Sequence, residues 1–319
     1  MMAASVYPVA PWGWALTKVH AAMDVILHVG SHLSGVSTLS SYLNRNRKPL
    51  RSRGVEVWTT DVTRKGLFDG LTLRSGLNGV DMRRARGAGR VQLRCAMLER
   101  DKIKELMVLD PVMLGTMENN LAAERLYPAA GERVARMVHA FGGRVKRIII
   151  GIRALEDYWG GALAHGLKKG IGMPDEAMLD RLVTQPRSWR KVVMDVACAA
   201  PDTEVVVVPY ERLGEQPQTV TGFAIKGRFA PPTNFRLNGL AQVPKLPELR
   251  EILKDRGEPT EVLPQGMDRW HPFGDLQVDI LREIYVEDLA WLRAGADGLG
   301  YLIEDSTADR VGQASRFGS

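Results

Sequence analysis

Apolar residues in this chain gather into short unbroken runs, set apart by longer stretches of helical spacing. Val25–Val29, Leu106–Leu109, Arg147–Ile152 and Thr203–Val208 show little alternation of polar and apolar positions. That is the pattern of strands covered on both faces of a parallel sheet. A weaker run, Gly54–Trp58, predicts another strand. After the first run, Val36, Leu39 and Leu43 fall on one side of a helix ending among Arg45, Arg47 and Lys48, where cations suit the negative end of the helix dipole. Leu155, Trp159 and Ala162 mark the inner face of a second helix, and Pro186 predicts the first turn of a third. Val278, Leu281, Tyr285, Leu289 and Leu292 form the narrow stripe of a closing helix. Strands alternating with helices predict an α/β fold with a doubly wound, mostly parallel sheet flanked by helices.

The pattern also suggests boundaries. Residues 1–22 lack the basic start and unbroken apolar core of a signal peptide, since prolines, Lys18 and His20 interrupt them. They read as a poorly ordered extension ahead of one domain spanning 23–305. The proline-rich stretch 226–275 reads as an irregular, lid-like insertion, and 306–319 as a polar, flexible tail.

At 45% hydrophobic and 25% charged residues, the composition is that of a globular protein able to bury a full core. No apolar run approaches the ~18 residues of a transmembrane helix. Cys95 and Cys198 are the only cysteines, which excludes a disulfide framework and makes a reducing, cytoplasmic setting the expectation. The histidines show no metal-ligand spacing. A net charge of +6 favours anionic partners. Arg83, Arg84, Arg86, Arg90 and Arg94 form the densest basic run. It is either a solvated helix face or a basic wall facing an anionic ligand, and no aromatics interleave with it as a nucleic-acid groove would require.

The most informative stretch is ILHVGSHLSGVSTLSSYL, Ile26–Leu43. An apolar strand, a glycine, a turn, a second glycine and a helix make the outline of a phosphate-gripping loop. Gly30, Gly35 and Ser37 keep the frame of a Walker loop, but Val36 stands where its lysine belongs. A kinase or triphosphatase of that type is therefore disfavoured. The two glycines could equally serve only a tight strand-to-helix turn. No G-x-S-x-G elbow, H-E-x-x-H or G-x-G-x-x-G fingerprint competes with it.

The segment ILHVGSHLSGVSTLSSYLNRNRKPLRSRGVEVW resembles the opening of bacterial P-loop sulfotransferases. Gly30, His32, Gly35, Thr38 and Leu39 match in register, as do Asn46-Arg47 and Leu50-Arg51-x-Arg53-Gly54-Val55. RVKRIIIGIRALEDYWGGALAHGLKKG resembles that family's 3′-phosphate strand and helix, with Arg153 in the place of its arginine. VVVVPYERL, LNGLAQVPKLPELREIL and LREIYVEDLAWL resemble later segments, so the likeness spans most of Asp24–Ile303.

The resemblance implies a P-loop NTPase-like fold of sulfotransferase type and the cofactor 3′-phosphoadenosine 5′-phosphosulfate. A small-molecule or glycan hydroxyl or amine would be the acceptor. Backbone N–H groups of the loop, with the hydroxyls of Ser31, Ser34, Ser37 and Thr38, would cradle the 5′-phosphosulfate between Gly30 and Gly35. Arg153 would bind the 3′-phosphate. The family's loop lysine is Leu33 here, and its second 3′-phosphate ligand, a serine, is Gly161. Asp110 is a candidate general base or simply a cap for the next segment, and His32 a stand-in for the lysine or a packing residue. The helical pair Gly160–Gly161 implies close approach of a ligand or a neighbouring element. Two functions stay open: a sulfotransferase with altered catalytic groups, and a non-catalytic relative that binds a phosphorylated nucleotide or acts as an interaction scaffold.

Overall fold

The structure is a computed structural model and describes residues 23–73, 79–225 and 243–304. The extension, the tail and the first part of the expected lid fall outside the described residues. Six parallel strands make one sheet: β1 (Asp24–His28), β2 (Val55–Trp58), β3 (Glu105–Leu109), β4 (Val145–Ile152), β5 (Glu204–Pro209) and β6 (Tyr301–Leu302). The first five are the five apolar runs, shifted at their ends by one or two residues. The short β6 was not foreseen, because two half-buried residues carry no periodicity.

Strand order is β2-β3-β1-β4-β5-β6. The chain runs outward from β1 to the edge strand β2, returns through β3, then crosses β1 to build β4, β5 and β6. Successive side chains of a strand point to opposite faces, and the core divides accordingly. Val25, Leu27, Leu106, Val108, Ile148 and Ile150 join one apolar cluster. Ile26, Val55, Met107, Leu109, Ile149 and Val206 join the other. Helices Val36–Arg45 and Pro217–Ala224 cover the second cluster. Helices Val80–Arg100, Ala130–Ala140, Leu155–Lys168, Trp189–Ala199, Leu246–Asp255 and Asp275–Arg293 cover the larger one. Both faces are buried, so the sheet is doubly wound.

Two charged side chains inside the sheet are paired rather than stranded. Arg147 on β4 donates to Glu204 at 2.6 Å and to the carbonyls of Phe223 and Ala224, tying β4 to β5 and to helix Pro217–Ala224. Glu56 on β2 is held by Arg51 and Arg47. A buried charge with a partner and hydrogen bonds is tolerated where a lone one is not.

Two expectations need correction. Pro186 does not open a helix: the chain turns first, and the helix starts at Trp189 behind Ser188. Trp189 donates its backbone N–H to Asp288 at 2.8 Å, so a long-range carboxylate fixes that terminus. The described part of the 226–275 stretch is not irregular throughout. It contains helix Leu246–Asp255, whose Leu246, Leu249 and Leu253 are buried against the rest, with Leu263, Trp270 and Phe273 packed beside them. Proline at the second position of that helix is compatible with its first turn, so Pro247 marked a helix start rather than a loop. Of the arginine run, Arg83, Arg86, Arg90 and Arg94 are exposed on helix Val80–Arg100, as a solvated helix face requires, whereas Arg84 is half-buried and donates to the Leu73 carbonyl at 3.0 Å; none of them lines the cleft described below. Among the described residues no helix is long and apolar enough to cross a membrane.

Candidate functional site

In a sheet whose strand order reverses, a crevice opens at the carboxyl ends of the strands beside the reversal. Here it opens around β1, which lies between β3 and β4. The segments after β1, β3, β4 and β5 all emerge at this edge. A cleft of ≈ 1290 Å³ occupies it, bordered by the loop after β1, Arg64, Arg153, Tyr210 and the Val243–Lys245 and Asp268–His271 segments.

The loop is held from below. Ser31 donates its N–H to Gly151 on β4 at 3.1 Å, and the Ser34 hydroxyl donates to the Ser31 carbonyl at 2.7 Å. The His32 N–H donates to the Tyr127 hydroxyl at 2.9 Å, and its Nδ1 lies 2.8 Å from the same oxygen. Gly35 takes a left-handed φ of +86° and begins helix Val36–Arg45 with no side-chain cap. A Cβ there would lie 2.5 Å from the Gly214 carbonyl oxygen, so the position requires glycine for both conformation and space.

The result is a run of donors. The N–H groups of Leu33, Ser34, Gly35, Val36, Ser37 and Thr38 have no acceptor among the described residues. Unsatisfied N–H groups at the positive end of a helix form an anion site. Among the described residues, five cations border the cleft (Arg45, Arg64, Arg153, Lys245, Arg269) against three carboxylates (Asp157, Glu215, Asp268).

The expected site residues divide into two layers. His32, Gly35, Ser37, Thr38 and Arg153 border the cleft. Gly30, Ser31, Ser34 and Asp110 do not, and lie beneath it. Ser31 and Ser34 therefore brace the loop rather than reach into the cleft.

Arg153 is buried at the end of β4, with 5% of its side chain exposed. It donates to the Leu33 carbonyl at 2.8 Å and to Asp157 at 3.1 Å, and its guanidinium stacks 4.4 Å from the centre of the Tyr210 ring. Its Nε has no partner. The arginine thus clamps the loop through Leu33 and borders the cleft.

Leu33 explains one of the two helical glycines. It adopts a left-handed φ of +65°, and its side chain rests on helix Leu155–Lys168 at Gly161. Any Cβ at Gly161 would collide with Leu33 Cδ1, and it would lie 3.3 Å from Val243 Cγ2. The close approach expected at this pair is made by the loop at Gly161, while a Cβ at Gly160 would meet only Pro272 and the Trp270 carbonyl at ordinary contact distance. The two departures from the resemblance, at 33 and 161, are one packing contact.

Asp110 is fully buried at the end of β3 and has no vacant face. One oxygen accepts from the Val112 N–H at 3.1 Å and from Arg64 Nη2 at 2.8 Å; the other accepts from the Thr63 hydroxyl at 2.6 Å and Arg64 Nε at 3.3 Å. It is a cap and an arginine anchor, and the general-base expectation has no geometric support. His32 is stacked on Tyr127 with its ring centre 6.1 Å away, and its pKa is lowered to about 4, chiefly by burial. The ring is therefore neutral at pH 7 and does not supply the missing positive charge.

Sequence reading missed Arg64, Lys245, Arg269, His165 and His271, which border the cleft from four separate segments. Only Arg64 left a trace, in that it follows a strand by a few residues as Arg153 does. Among the described residues no cluster of His, Cys, Asp and Glu could hold a metal ion. No protein-family profile, curated protein or solved structure matches the chain.

Proposed function

We propose that this chain is a sulfotransferase-like protein that binds 3′-phosphoadenosine 5′-phosphosulfate, or its desulfated product, in the cleft at the end of β1. The observation that carries the reading is the run of unsatisfied N–H groups from Leu33 to Thr38 at a helix N-terminus, beside the buried Arg153. The N–H groups would hold the 5′ end of the nucleotide, with the Ser37 and Thr38 side chains at the same rim. Arg153, which borders the cleft, would meet the 3′-phosphate with its guanidinium while keeping its bond to Leu33. The bound nucleotide would supply an activated sulfuryl group, for which the acceptor is a hydroxyl or amine of a small molecule or glycan.

A second reading is a non-catalytic nucleotide binder on the same frame. It is favoured by the tight packing of Leu33 on Gly161, by the saturated carboxylate of Asp110 and by the neutral His32. These remove the loop cation and the general base in turn.

Calorimetric titration separates the possibilities. 3′-Phosphoadenosine 5′-phosphate should bind the wild type more tightly than adenosine 5′-phosphate does. Arg153→Ala should abolish that preference. Asp157→Asn, which removes the competing carboxylate, should strengthen it. Absence of binding by a folded wild type would sink the nucleotide reading. Binding without sulfuryl transfer, across a panel of hydroxyl and amine acceptors, would select the second reading.

A further inference from the structure

A phosphate loop without its lysine holds an anion only with N–H dipoles, which leaves the charge of the ligand uncompensated. The cleft contains a cation built for that place. Arg64 lies in a kinked turn, Thr63–Leu67, with Gly66 at a left-handed φ of +89°, in which the Phe68 N–H reaches back to the Thr63 carbonyl at 3.0 Å. The guanidinium is gripped along one edge by Asp110, through Nε and Nη2. Asp110 is 0% exposed, whereas the Arg64 side chain is 55% exposed. This is a bidentate fork that fixes the plane of the guanidinium. It leaves Nη1 with no acceptor among the described residues, in a side chain that borders the same cleft as the loop.

Position in the sheet brings the two together. Asp110 directly follows β3, the loop follows β1, and these strands pair with Leu109 opposite His28. Arg64 and Asp110 are both close enough to act electrostatically on His32 in the loop. The Asp110 carboxylate cannot take part in chemistry of its own, since all its acceptor directions are filled. Its work is to orient Arg64.

We propose that Arg64 is the cation that faces the loop after β1 and contacts the anionic group bound there, with Asp110 as its positioning residue. Arg64 would take the electrostatic place that a lysine has in an ordinary phosphate loop, reaching the ligand from the β2–β3 side. The inference rests on the reading of that loop as an anion cradle.

The test is calorimetry with two probes, 3′-phosphoadenosine 5′-phosphate and adenosine 3′-phosphate, which lacks the group held at the loop. Arg64→Ala should weaken binding of the first by about tenfold to a hundredfold, the range of a charge-assisted contact, and leave the second unchanged. Removing Arg64 alone strands a buried carboxylate, so Arg64→Gln/Asp110→Asn is the companion variant, and it should show the same selective loss. Asp110→Asn alone, with Arg64 present but unanchored, should lose part of it. Equal affinities in wild type and the double variant, or equal losses for both probes, would overturn the proposal. If the wild type binds neither nucleotide, the nucleotide reading falls by itself. The Arg64 inference is then decided with inorganic pyrophosphate: binding that depends on Arg64 upholds it, and no binding or Arg64-independent binding overturns it.

Discussion

Gly35 joins the loop to the helix and approaches a distant part of the chain, so its replacement tests both features. In Gly35→Ala the new Cβ would lie 2.5 Å from the Gly214 carbonyl oxygen and 3.0 Å from its Cα. These are backbone atoms, and no rotamer relieves them. Forcing alanine into the left-handed region costs roughly 1–2 kcal/mol, and overpacking typically adds about 1–3, while the stiffer unfolded chain gives back roughly 0.4–1. The net expectation is a loss of about 3 kcal/mol. Gly170 supplies the control: its φ of +89° is nearly that of Gly35 at +86°, and nothing lies within 4 Å of its missing Cβ. Gly170→Ala should therefore cost only about 1 kcal/mol. Urea unfolding followed by far-ultraviolet circular dichroism would read both, as midpoint shifts at unchanged slope. If Gly35→Ala is no more damaging than Gly170→Ala, the close approach to Gly214 is wrong, and so is the placement of the loop that depends on it.

Other perturbations test the site and core separately. Gly161→Ala should push Leu33 toward the cleft and weaken nucleotide binding, and adding Leu33→Ala should restore it; a calorimetric cycle should show coupling of about 1 kcal/mol or more, whereas additive effects would mean the two positions do not meet. His28 is buried on β1 and its pKa is lowered to about 4 by that burial. Its contribution is complete above the unfolded value near 6.5 and is lost as pH falls toward 4. Between pH 7 and 5 the wild type should therefore lose about 2 kcal/mol that His28→Gln does not, and parallel stability profiles would refute this. Asp288 has the opposite sign: burial raises its pKa to about 6, above its ordinary value, against the opposing bonds from Ser188 and Trp189. Its contribution is greatest in acid and falls as pH rises from about 4 through 6, so Asp288→Asn should remove a downward slope from the stability profile in that window.

The sequence by itself determined the sheet. Unbroken apolar runs can be buried only on two faces, so five strands and their parallel, covered character were legible from Val25, Leu106, Ile148 and Val206 and their neighbours. The loop was legible too, since Gly30 and Gly35 between a strand and an amphipathic helix leave few alternatives. Arg153 stood out through the resemblance, as the arginine that follows the fourth apolar run. These are local signals, carried by residues adjacent in the chain.

Tertiary structure decided everything that depends on residues far apart. Nothing near Asp110 in the sequence shows that Arg64 and Thr63 fill its carboxylate. Nothing near Leu33 shows that it rests on Gly161, or that its carbonyl accepts from Arg153. The strand order brings the ends of β1, β3, β4 and β5 to one edge, and only there do the N–H groups of the loop, Arg153 and Arg64 surround one cleft. Periodicity records which face of an element is buried, because burial repeats with the geometry of the element. It does not record which partner does the burying, and in this chain the identity of those partners separates a brace from a binding group.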